Sequence, residues 1–346
     1  MSDMAVAGSR AGQRDLPRAA TAAWAAPDAR RALQLCLGAG WLLDAILQYQ
    51  SWMFTKAFGQ MLAGSAAGNP AVIAHPITWS ASIIEQHPGP ANAVFATIQL
   101  LLALGIAWRP TIKIALGASI AWSLAVWWLG EGLGSVLAGG ASPVTGAPGA
   151  VIIYALLAVL LWPADRGGRP ASFVAARPLG ARAARALWLM LWGSLAYFSL
   201  LPANRAAQDL HDMISGMAAG EPGWLASLDT NAAALLAHQG LTASIILAAV
   251  LAVIAVGIYL PAPAARAILV LAIVVAGVIW VLGQALGEIF TGTATDPNSG
   301  PLLVLLAVAY WPARTIINRA PAAGAPAAGR AAASPGERRP GPTGGQ

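Results

Sequence analysis

Charge is scarce in this chain and cysteine is almost missing. Of its 346 residues only 10% are Asp, Glu, Lys or Arg, against roughly 25% in an ordinary soluble domain. The single cysteine, Cys36, excludes an internal disulfide framework and any cysteine-built metal cage. It reads as a small apolar filler. No P-loop, GxSxG, HExxH or GxGxxG motif is present, so the sequence offers no nucleotide cradle, no ready-made hydrolytic constellation and no named cofactor. What is abundant is apolar: 58% of the chain. A soluble fold of this size cannot hide that much apolar surface, because its outside must be largely wettable. A soluble enzyme, a disordered chain and a nucleic-acid-binding module are thereby excluded. The net charge of +6 sits in short loop clusters, not in a stripe that could follow a phosphate backbone.

Apolar runs of about 20 residues mark candidate membrane spans. Eight are legible: 32–54, 91–108, 111–134, 144–163, 186–202, 241–260, 265–290 and 300–317. They imply an all-α polytopic membrane protein with the bilayer as its first partner. The organisation expected is an N-terminal arm (1–31), a four-helix unit (32–164), a basic linker (165–185), a second four-helix unit (186–317) and a Pro/Gly/Ala-rich disordered tail (318–346). Arg30-Arg31 serves as an orientation anchor, not a twin-arginine signal, since no cleavage site follows and seven more spans do. Threading eight spans from an inside N-terminus leaves Lys56 and Arg205 outside and the other 18 basic residues inside. The positive-inside rule then puts both termini in the cytoplasm. Eighteen arginines against two lysines fit a GC-rich bacterial source and hence the plasma membrane. Trp108, Trp162, Trp192 and Trp311 near span ends read as an interfacial aromatic belt.

The chain also repeats itself. Leu129-Gly130-Glu131-Gly132-Leu133-Gly134 returns as Leu282-Gly283-Gln284-Ala285-Leu286-Gly287, and Leu161-Trp162-Pro163-Ala164 as Tyr310-Trp311-Pro312-Ala313. The segment 139–148 returns loosely as 292–301, and Ala66–Pro70 as Ala218–Pro222. Four spans per unit is an even number, so the two units should share one orientation about an axis along the membrane normal. Each unit carries a long outer segment, 55–90 and 203–240. Phe54, Phe58, Met61 and Leu62 in one, and Leu210, Met213, Ile214 and Met217 in the other, follow helical spacing. They predict an amphipathic helix that either lies on the outer membrane surface or packs on the bundle.

The four-span unit resembles the DoxX-like family of small bacterial membrane proteins. The resemblance rests on Gly68-Asn69-Pro70-Ala71 ahead of the second span. It continues in the run Gln99-Leu100-Leu101-Leu102-Ala103-Leu104-Gly105-Ile106-Ala107-Trp108-Arg109. Gln99 stands where the family has an acidic residue, and the second unit keeps only Ile254, Gly257 and Ile258 of that run's end. The resemblance implies a four-helix membrane unit and a quinone or respiratory partner.

Ionisable residues inside spans are functional candidates, since a lone charge at the bilayer centre costs at least about 2.5–3.5 kcal/mol. Asp44 lies mid-span, and Glu131 and Glu288 lie near the outer ends of the third and seventh spans. By the repeat, Glu131 matches Gln284, and Ser135 matches Glu288 four residues on, so both carboxylates share one helix face. They are read as lining one outward cavity with Asp44, Gln284 and Gln99, or alternatively as interfacial residues. As an acid–base pair they would also suit a membrane enzyme. The apolar runs after the Gly/Pro segments are short: Val151–Trp162 is 12 residues, about 18 Å as helix. Part of each Gly/Pro segment is therefore expected at membrane depth, either lining a cavity or packing through small residues. His87 and His238 align between units on the outer side and, with nearby methionines, are candidate metal ligands, copper being the chemical match. The functional expectation is an outward-facing polar cavity that binds or transports a small solute or ion. The alternative is a quinone-linked or respiratory accessory subunit.

Overall fold

The computed structural model describes residues 28–165 and 171–312. The N-terminal arm up to residue 27, part of the basic linker (166–170), and everything from 313 on lie outside the described residues; the last piece takes in the end of the second unit and the expected tail. Among the described residues the chain is all-helical, without a strand. The α-helices in order are α1 (Ala29–Gln48), α2 (Lys56–Gly64), α3 (Ala71–Gln86), α4 (Pro88–Ala107), α5 (Ile112–Leu129), α6 (Ala150–Leu160) and the single turn α7 (Ala176–Leu179). They continue with α8 (Ala181–Ser199), α9 (Asp209–Met217), α10 (Gly223–Leu236), α11 (Gly240–Gly257), α12 (Ala262–Val278) and α13 (Ser299–Ala309).

Among the described residues four helical segments are long and apolar enough to cross a membrane: Pro88–Ala107, Arg109–Leu129, Gly240–Gly257 and Ala262–Gly283. Their sequence makes them so. Each is a predominantly apolar, helix-compatible run, and prolines mark several of the ends. Pro88 opens α4, where its missing N–H costs nothing, and Pro110 closes it. Leu101, Leu104, Ile114, Val253, Val256 and Val274 point outward from these helices. Such a surface is wrong for water and suited to lipid. Helices α6 and α13 are shorter, 11 residues each, about 16 Å at 1.5 Å per residue.

The pairing is the same in both halves. Helix α1 packs along α4 and α5 along α6; α8 packs along α11 and α12 along α13. The halves meet through α6 against α13 and α1 against α13, and all described residues fall in one compact unit. The shared core is aromatic at its centre. Trp41 stacks on Tyr154 at 4.3 Å, and Trp188 packs on Tyr310 at 4.9 Å and on Trp192 at 5.3 Å. The indoles of Trp41 and Trp188 donate to Ser119 Oγ and the Ile254 carbonyl, both at 2.9 Å. Trp192, expected in an interfacial belt, is fully buried here, because it lies mid-helix on the inward face of α8, one turn after Trp188 and packed on it, rather than at a helix end. Trp108 and Trp311 are exposed, as a belt requires.

One end of the bundle gathers the basic residues. Arg30 bonds Asp165 at 2.8 Å, Arg177 bonds Asp28 at 2.6 Å, and Arg31 donates to the Ile106 carbonyl at 2.8 Å. The Arg177 guanidinium holds the Asp28 carboxyl below its usual range. The opposite end is closed by two helical hairpins, α2–α3 and α9–α10. The amphipathic stripes are present and pack on the bundle. Phe58 turns inward onto Met53 and Ile84, and Leu210 and Ile214 turn onto Val144 and Ala233. The second helices, α3 and α10, complete hairpins that the apolar stripes alone do not announce.

Candidate functional site

Asp44 sits one turn after Trp41 on α1 and is buried. The Tyr154 hydroxyl on α6 donates to its Oδ1 at 3.1 Å. The Trp41 stack fixes that tyrosine, and Gly40 lets it approach: a Cβ there would lie 2.6 Å from the Tyr154 oxygen. Below this pair, Gln48 Nε2 donates to Asn92 Oδ1 at 2.5 Å and Asn92 Nδ2 donates to the Gln48 carbonyl at 2.7 Å. This closed pair of buried amides satisfies itself.

Glu131 follows α5 where the helix gives way to Gly130. Its Oε1 accepts from the Val151 N–H at 3.3 Å, in the first turn of α6. A carboxylate there meets N–H groups that have no partner within the helix and the positive end of the helix dipole. Its Oε2 is buried without a partner. Gly149, with φ 117°, makes room for that oxygen, since a Cβ would collide with it. In the second half Gln284 does the same work. Its Oε1 accepts from the Gly300 N–H at 3.2 Å and its Nε2 donates to Ser299 Oγ at 2.9 Å, in the first turn of α13.

The two Gly/Pro segments match in further detail. The chain passes through the left-handed region at Leu133 (φ 57°) and at Leu286 (φ 56°). Both are uncommon positions for a bulky residue. The Trp127 indole donates to the Pro148 carbonyl at 2.6 Å, and the Trp280 indole to the Pro297 carbonyl at 2.8 Å. The segments also touch. A Cβ on Gly283 would lie 2.6 Å from the Val144 carbonyl, and one on Gly146 would strike the Asn298 side chain.

That contact brings Asp296 to the site. Its carboxyl is held by the Thr295 hydroxyl at 2.8 Å and the Asn298 N–H at 2.7 Å. With Thr295 it closes a cavity of about 390 Å³ whose other walls come from the first half. Asp44 and Gln48 come from α1, Phe58 and Leu62 from α2, Ile84 from α3, Phe95 and Gln99 from α4, Trp122 and Leu129 from α5, and then Glu131. A second cavity of about 210 Å³ lies between the Gly/Pro segments and is lined by Ser142, Thr145 and Asn298 among others. Glu131 and Asp296 belong to both walls.

Of the residues expected from sequence, Asp44, Glu131 and Gln99 come together. Gln284 lines neither cavity, because it caps α13. Glu288 lies outside both, just past the turn at Gly287, and so does not face Glu131 across a shared space. His87 stands at the junction of α3 and α4, and His238 contacts Gln208. Among the described residues no three or more His, Cys, Asp or Glu gather closely enough to hold a metal ion. Asp296 and Tyr154 were missed by the sequence reading; an acid inside a Gly/Pro segment too short to be helix was the available signal for the first. A further acidic pair, Glu221 and Asp229, stands at the α9–α10 hairpin with its carboxylate oxygens unpartnered. Burial pushes the Asp229 carboxyl up to about 6 and raises that of Glu221, with Glu288 adding to the latter.

Compared with known protein families, with curated proteins and with solved structures, the chain matches none.

Proposed function

We propose that this chain is a multi-pass plasma-membrane protein of eight transmembrane helices, two like-oriented four-helix repeats, whose cavity binds or transports a small solute or ion from the outer side. The carrying observation is the 390 Å³ cavity on which Asp44, Glu131 and Asp296 converge beneath two touching Gly/Pro segments. Three acids gathered on one cavity, Asp44 fully buried and Glu131 and Asp296 half-buried, are costly to keep for packing alone. The matched helix pairs, the paired indole-to-proline bonds and the Glu131/Gln284 caps support the repeat. Helices α1, α6, α8 and α13 coincide with the remaining four apolar runs of the sequence. The arginine-rich end supports cytoplasmic termini, which makes the hairpin end the outer one.

The test is solvent access. In a Cys36→Ser background, Thr145→Cys in the smaller cavity should react with a membrane-impermeant maleimide added to intact cells. Reaction only after the membrane is opened would overturn the outward reading.

A second reading is a quinone-linked accessory subunit, in keeping with the DoxX-like resemblance. The aromatic walls favour it: Trp41, Phe58, Phe95 and Trp122 could take a flat ring. A quinone that copurifies with the protein and is lost on Trp122→Ala would support it.

A further inference from the structure

We infer that the occupant of the larger cavity is an amphiphilic organic cation, a protonated amine carrying an aromatic or branched apolar body. This deepens the binding reading above and rests on it.

The sign of the charge comes first. Asp44, Glu131 and Asp296 line the cavity, and no Lys, Arg or His lines it. None of the three makes an ion pair among the described residues. A carboxylate withdrawn from water needs a counter-charge or several donors. The protein gives Asp44 the Tyr154 hydroxyl and Glu131 a backbone N–H, and leaves Glu131 Oε2 bare. An anionic ligand would add to this imbalance; an ammonium would relieve it by its charge.

The second observation is independent of the acids. Gln99 is 9% exposed and lines the same cavity, yet its Oε1 has no partner. A glutamine oxygen so deeply buried is normally satisfied. It is one more polar group left without a partner in the wall of this cavity.

The body of the ligand follows from size and walls. A cavity of about 390 Å³ is in the range that holds drug-sized molecules, and a bare ion would leave most of it empty. Phe58, Phe95 and Trp122 form one continuous wall, with ring centroids 6.4 and 5.6 Å apart along the row. Rings so placed bury an apolar body and attract a cation over their faces. Glu131 and Asp296, standing in the walls of both cavities, are where the head group would enter from the polar side.

The experiment uses the full chain in lipid nanodiscs and three probes with one indole body: tryptamine (cation), tryptophol (neutral) and indole-3-propionate (anion). Saturable binding of tryptamine, with propionate not binding, is the expected result. Glu131→Gln should weaken tryptamine about tenfold or more, because it removes the charge. It keeps the cap on α6, since Gln284 caps α13 with the same amide. Asp296→Asn should do likewise, and Glu288→Gln, outside the cavity, should leave the affinity unchanged. Equal binding of tryptophol and tryptamine, or indifference to Glu131→Gln in a folded protein, would overturn the cation while leaving a binding cavity standing. If no probe of any charge binds, both the cation and the binding reading fail.

Discussion

Gly283→Ala tests the contact on which the site depends. Asp296 reaches the cavity only because the second Gly/Pro segment lies against the first, and Gly283 is at the point of contact. A Cβ at that position would lie 2.6 Å from the Val144 carbonyl oxygen and 2.7 Å from Val144 Cγ1. Ordinary contacts begin near 3.4 Å, so about 0.8 Å must be found. The obstacle is backbone in a packed segment, not the end of a flexible side chain. Overpacking of this kind costs about 1–3 kcal/mol. The helix-propensity gain of alanine over glycine is under about 1 kcal/mol and does not offset the clash. Gly277→Ala is the matched control, since nothing lies within 4 Å of its added Cβ. That change should be neutral or slightly stabilising. The assay is thermal unfolding of both variants in one detergent, followed by monodispersity on size exclusion. Gly283→Ala should melt clearly lower than the wild type and Gly277→Ala should not. Equal melting of all three would mean that the segments do not touch at Gly283, and the placement of Asp296 would fall with that contact.

Two further outcomes are expected. Asp229 has its carboxyl raised to about 6 by burial, against an unfolded value near 4, so the folded state binds its proton more tightly than the unfolded state does. The wild type should therefore lose stability as pH rises from about 4 to about 6 and level off above. Asp229→Asn should lack that slope and be the more stable above pH 6. Parallel unfolding midpoints of the two proteins across this window would refute the assignment. In intact cells with Cys36→Ser, an impermeant label should reach Thr230→Cys on the exposed side of α10 and not Arg182→Cys on α8, two exposed positions at opposite ends of the bundle. Labelling at 182 would overturn the eight-span orientation.

Much of this architecture was legible because each apolar run has one economical solution in a bilayer. A helix satisfies its own backbone, so a run of twenty apolar residues fixes both type and approximate ends. Helices α4 and α11 begin and end within a few residues of the expected limits 91–108 and 241–260. The shortness of α6 and α13 was also readable, from Gly and Pro counts before them. What the pattern could not carry is contact between segments far apart in the chain. Asp296 looks like a polar turn residue in Thr-Asp-Pro-Asn, and only the fold sets it against Glu131. Trp192 lies in a span that reads as apolar all round, so nothing local distinguishes lipid-facing from core-facing sides. The hairpin helices α3 and α10 are shorter than a span, and α10 holds the buried Asp229, so hydropathy passes over them.

The Glu131 and Gln284 pair shows how one frame can serve two purposes. Both residues cap the helix after a Gly/Pro segment, and either side chain supplies the acceptor oxygen that the N–H groups require. Capping therefore explains why an acceptor stands at each place, and leaves unexplained why one is charged. Gln284 spends its second group on Ser299 and is satisfied. Glu131 has an oxygen left over, seated against Gly149 without a hydrogen-bond partner, and a second acid, Asp296, brought from the other half. A purely structural carboxylate at this depth would be replaced by the amide at no loss to the cap and with a gain in desolvation. The charge at 131 is thus the feature that packing does not account for, and it faces the cavity.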